Sequence, residues 1–89
     1  MSVWIKDPDA VLDYAVDWSA WLSQAEAITT ATVVADDGIT VDSDSHDGGI
    51  HTIWLSGGEV GRDYRITSRI TTSQGRGDDR TMLIRVRER

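Results

Sequence analysis

The chain has 89 residues, nine Lys or Arg against fifteen Asp or Glu, a formal net charge of −6 and no cysteine. This length suits one domain over residues 1–89. The missing cysteine excludes a disulfide framework or a thiolate metal site, and the acidic balance argues against non-specific nucleic-acid binding, which needs cations facing phosphates.

No apolar run approaches the roughly 20 residues of a membrane span, so no membrane partner is expected. The first residues, MSVWIKDPDA, lack the basic and apolar regions of a secretory signal, which points to a cytosolic origin. Trp4, Trp18, Trp21, Trp54, Tyr14 and Tyr64 supply the bulky core material in the absence of Phe. Each such ring removes about 150–250 Å² from water when buried.

In chain order, Lys6-Asp7-Pro8-Asp9 reads as a turn, because Pro fixes φ and Asp bonds local backbone. Leu12, Tyr14, Val16 and Trp18 alternate with Asp13, Ala15 and Asp17, the period-two pattern of a half-buried strand with its acids outward. Residues 19–22 suit one short helical turn carrying Trp21. The β-branched stretch 28–35 (ITTATVVA) predicts a strand, and Asp36-Asp37-Gly38 a turn. A short strand is expected at 39–41, a polar loop at 42–49 (DSDSHDGG) and a further strand at 50–55, with Trp54 on the inward face of Ile50 and Thr52.

A glycine corner (Gly57, Gly58, Gly61) then leads to Tyr64, which opens a run with Tyr64, Ile66, Ser68 and Ile70 on one side and Arg65, Thr67, Arg69 and Thr71 on the other. Residues 72–79 predict a hairpin loop in which Gly75 and Gly77 supply positive φ. Residues 80–87 predict a last strand with Met82, Ile84 and Val86 inward. About seven strands with regular turn signals predict an all-β fold, an immunoglobulin-like β-sandwich of about seven antiparallel strands. A Tyr after the corner bonds its hydroxyl to nearby backbone in such folds, so Tyr64 is a structural candidate, with Trp18 and Trp54 between the sheets.

Charge is unevenly distributed. Residues 1–50 hold ten acids and Lys6, a net of −9, and residues 51–89 hold five acids and eight Arg, a net of +3. Either acidic and basic strands neighbour each other within the fold, or an acidic surface meets a basic one on another subunit. Arg65, Arg69, Arg85, Arg87 and Arg89 would point outward together, which makes the first four candidate partner contacts; the plainer reading pairs them with acids of the same chain.

Motifs for chemistry are weak. The acids from Asp42 to Asp47 do not fit an EF-hand, whose sixth and twelfth positions would fall on Asp47 and Ile53. That leaves a solvated loop or an irregular cation site. With no Cys and no third His, a zinc site at His46 and His51 would need carboxylates to complete it, and exposed or partly packed histidines are the plainer reading. No Ser sits on a strand–helix elbow beside a base, and no catalytic, cofactor or metal residue is assigned. The tripeptide Arg76-Gly77-Asp78 matches integrin-binding loops, although a hairpin turn accounts for it more simply.

Three stretches carry a resemblance: KDPDAVLDYAVDWSAWL from Lys6; IWLSGG from Ile53 with YRITSRITTSQGR from Tyr64; and DDRTMLIRVRER from Asp78. In these the chain resembles the bacteriophage fiber-tail adaptor proteins. The resemblance implies a virion structural protein with an immunoglobulin-like fold, made in the host cytoplasm and present in multiple symmetric copies. It would sit at the neck or tail, linking other virion proteins, with no catalytic residue to carry over. A head decoration or cement protein is an alternative. So is a carbohydrate-binding module using Trp4 or Trp21 on a flat face.

Overall fold

The computed structural model describes residues 2–88. Seven strands follow one another: β1 (Ser2–Lys6), β2 (Leu12–Asp17), β3 (Ile28–Ala35), β4 (Ile39–Asp47), β5 (Ile50–Gly57), β6 (Asp63–Thr72) and β7 (Gly77–Val86). They form a four-stranded sheet of order β1-β7-β6-β3 and a three-stranded sheet of order β2-β5-β4. Among the described residues there is no helix.

Alternation explains why these segments are strands. In β6, Tyr64, Ile66, Ser68, Ile70 and Thr72 are buried while Asp63, Arg65, Arg69 and Thr71 are exposed, so one face meets apolar side chains and the other meets water. β7 buries Met82, Ile84 and Val86 in the same way. Tyr64, Ile66, Met82, Ile84 and Val86 pack with Tyr14, Ile39, Ile53 and Leu55 of the other sheet in one cluster, which makes the assembly a sandwich. A second cluster joins Trp18, Ile28 and Ile70.

Four expectations need correction. The strands are not all antiparallel, since β1 runs parallel to β7, with Trp4 opposite Ile84. The stretch from Asp42 to Asp47 is not a loop but the second half of β4, which pairs with β5 through a bulge between Val41 and Ser43. Backbone hydrogen bonds to β5 hold this polar edge strand without apolar side chains. Gly77 lies in β7, and only Gly75 of that hairpin has positive φ (77°).

The fourth correction concerns Trp54, which is 40 % exposed on the outer face rather than set between the sheets. The inward set of β5 is His51, Ile53 and Leu55, all fully buried. A slip of one residue exchanges the faces of a strand, and both sets are compatible with one. The inward set prevails because His51 finds partners for both ring nitrogens inside the sandwich.

Candidate partner-binding faces and the framework behind them

Tyr64 stands at the first inward position of β6. Its hydroxyl accepts the backbone N–H of Glu59 at 2.9 Å, which ties the β5–β6 corner to the core. The ring lies between two glycines. A Cβ at Gly38 would come within 3.0 Å of Tyr64 Cε1, and one at Gly58 within 2.6 Å of Val86 Cγ2. Both glycines have positive φ. Nearby, the buried Lys6 donates from Nζ to the carbonyls of Asp7 (2.9 Å) and Gly57 (2.8 Å), linking β1 to β5 across the sandwich. Burial lowers its pKa below the usual lysine value.

Trp18 is fully buried, and its Nε1–H donates to Ser68 Oγ at 3.1 Å. Ser68 Oγ lies 2.7 Å from His51 Nδ1, and His51 Nε2 lies 2.8 Å from Asp44 Oδ2. A neutral imidazole with its proton on Nε2 satisfies the whole chain of bonds. Ser, His and Asp are the residue types of a hydrolase triad, but a nucleophile has to reach substrate. Ser68 is fully buried and already accepts from Trp18. The network is a polar tie between the two sheets.

A second tie closes the segment between β2 and β3. Arg76 grips Glu26 through Nη2 to Oε1 (2.6 Å) and Nε to Oε2 (3.0 Å), and Thr72 donates to Oε2. The hydrogen bonds from Arg76, then Thr72 and the Ser23 backbone, hold the Glu26 carboxyl down to about 2. Arg76 also lies 4.1 Å above the Trp21 ring, Trp21 meets Trp18 edge-on, and Arg80 lies 4.3 Å over Trp18. The arginine of the Arg-Gly-Asp tripeptide is thus engaged within the chain, and it lies over the partly buried Trp21 ring.

This framework presents two outer faces of different character. The face of the four-stranded sheet carries Arg65, Arg69, Arg85 and Arg87, each beside an aspartate. Arg69 and Asp79, directly opposite each other, form a bidentate pair at 2.9 and 3.1 Å. Its hydrogen bonds raise the Arg69 pKa and lower that of Asp79. Arg65 lies 3.9 Å from Asp36, and Arg85 and Arg87 share Asp63 at 3.6 and 3.2 Å. Arg89 lies outside the described residues. Val3 lies opposite Leu83 and Ile5 opposite Arg85, so apolar side chains adjoin these pairs.

The face of the three-stranded sheet is acidic. β2, β4 and β5 contain no Lys or Arg. Register sets Trp54 between Asp13 and Ser43, Thr52 between Ala15 and Ser45, and Ile50 between Asp17 and Asp47. Trp54 and Ile50 are 40 % and 39 % exposed. Among the described residues, neither Asp13 nor Asp47 forms an ion pair, and Asp42 accepts from Ser56 Oγ. Asp44 turns inward to His51, so the acids of β4 do not converge, and no group of three potential metal ligands occurs among the described residues. Sequence reasoning missed Trp54 as a surface residue; the signal was His51, Ile53 and Leu55 as the competing inward set.

A cysteine-free sandwich whose sheets are cross-tied by buried polar groups, and whose outer faces differ in charge, has the build of a structural protein that works by contact. The chain belongs to the family described as Podophage GP4 fiber-tail adaptor protein gp77, whose model matches residues 6–85. These are structural proteins of the phage virion. No curated relative matches the chain.

Proposed function

We propose that the chain joins a tail component to a fibre component in the neck or tail region of a podophage virion, in multiple symmetric copies, with one outer sheet face turned to each partner. The observation that carries this reading is the family match across residues 6–85. The two unlike faces support it, because an adaptor needs two contact surfaces that do not compete. On the four-stranded sheet, Arg65, Arg69, Arg85 and Arg87 with Val3, Ile5 and Leu83 supply fixed charges beside apolar area. Ion pairing within the chain holds these guanidiniums in place before a partner arrives, which lowers the ordering cost of binding. The role requires contact and no catalysis.

An immunoglobulin-like reading of the fold is supported by strand order and by the corner. The second, fifth and fourth strands share one sheet, and the third, sixth and seventh share the other. Strands B, E, D and C, F, G are divided in the same way in immunoglobulin-like sandwiches, which place a tyrosine where Tyr64 stands.

The test is a phage population made without the chain. The adaptor reading predicts filled heads on particles that lack fibres. Fully fibred particles with fragile heads would contradict it and favour the head decoration alternative.

A further inference from the structure

We infer that the outer face of the β2-β5-β4 sheet docks a basic protein surface, with Trp54 as its central anchor; this rests on the adaptor reading for a protein partner within the virion. Trp54 lies on the middle strand of its sheet, flanked by Asp13 on one side and Ser43 on the other, with Ile50 two positions along the same face. The indole is carried on a strand whose opposite face is fully buried at His51, Ile53 and Leu55, so the backbone that presents it is already ordered when a partner covers it. Large aromatics near the centre of an interface are the usual energetic anchors.

Charge identifies the occupant. Six of the described Arg side chains, at 62, 65, 69, 76, 85 and 87, pair with acids of the chain itself. The acids left without a cation include Asp13 and Asp47, which flank Trp54 and Ile50. Arg80 of β7 reaches only the Asp17 edge, at the backbone carbonyl (2.6 Å). A face whose own strands carry acids and no Lys or Arg repels an acidic partner and draws one rich in Arg or Lys. An arriving guanidinium can pair with Asp13 and lie over the exposed indole, as Arg76 and Arg80 already do over Trp21 and Trp18. The division of labour follows from the positions. Trp54 governs how long the complex lasts, and the surrounding acids govern how fast it forms and how steeply it depends on salt.

Two variants test this, Trp54→Ala and the double charge reversal Asp13→Lys/Asp47→Lys. Each would be measured by co-sedimentation with particles made without the chain, and by capture on the purified fibre protein of the same phage, across a salt series. Both variants replace exposed groups, and unchanged melting temperatures confirm the fold. Each should weaken binding to the same one of the two partners by about tenfold or more. Trp54→Ala should keep the salt dependence of the wild type, and the charge reversal should flatten it. Loss in only one variant, or in neither, overturns the inference and leaves the adaptor reading standing. Wild-type binding to a neutral glycan array that disappears in Trp54→Ala would also overturn it, in favour of a sugar ligand. Failure of the wild-type chain to bind either partner would bring down the adaptor reading and this inference together.

Discussion

The hydroxyl of Tyr64 accepts the backbone N–H of Glu59 at 2.9 Å, and with the backbone bonds of Gly61 and Arg62 to Val86 it holds the corner where the chain crosses from the three-stranded to the four-stranded sheet. Tyr64→Phe keeps the ring between Gly38 and Gly58 and removes only the acceptor, so it should cost about 0.5–1.5 kcal/mol. Gly58→Ala should cost more, about 2–4 kcal/mol, because its Cβ would lie 2.6 Å from the buried Val86 side chain at a φ of +93°. Urea denaturation of both variants checks the order, and a Tyr64→Phe midpoint equal to wild type would remove the bond from the account.

Two tryptophans should behave oppositely. Trp18→Ala empties a fully buried site and takes the Nε1–H donor from Ser68, so a loss of about 3–5 kcal/mol is expected. Trp54→Ala removes a half-exposed ring from an outer face and should stay within about 0.5 kcal/mol of wild type, as surface changes do. Thermal melts of the pair decide whether the strand facing described here holds in solution.

Acid should loosen the Glu26 tie in a defined window. The carboxyl titrates at about 2 in the folded chain against an ordinary value of 4.5, so the folded state binds this proton less readily than the unfolded chain. The stabilisation is therefore complete above pH 4.5 and is lost as pH falls towards 2. Glu26→Gln removes this titration, and its stability should fall less steeply than that of wild type across that window. Parallel slopes for the two proteins between pH 5 and 2, measured by chemical denaturation, would contradict the tie.

Ala25 has a φ of 63°, the one positive value at a non-glycine among the described residues. An L-residue there costs about 1–2 kcal/mol, and glycine loses about 0.4–1 kcal/mol more chain entropy on folding. Ala25→Gly should then stabilise the protein by about 0.5 kcal/mol, visible as a higher melting temperature.

How much of this was legible depended on local pattern. Residues 64–70 alternate so strongly that strand, facing and corner all follow from the sequence. In β5 two interleaved sets compete, and the outcome turned on His51 gaining Ser68 and Asp44 as partners, contacts 17 and 7 residues away that no local pattern reveals. The polar second half of β4 has the composition of a loop and becomes a strand only through its pairing with β5. β1 pairs in parallel with β7, at the other end of the chain, and carries no local sign of it. Alternation alone puts Arg65, Arg69, Arg85 and Arg87 on an outer face, but their pairing with Asp36, Asp63 and Asp79 depends on cross-strand and corner geometry.

The central claim is that this small sandwich bridges two virion proteins through its opposite sheet faces. A cryo-EM reconstruction of the intact particle tests it most directly. The account predicts density for the chain between tail and fibre, with Trp54 covered by one protein and Arg69 and Arg85 facing another. Density on the head shell, or at the tail with both faces open to solvent, would contradict it.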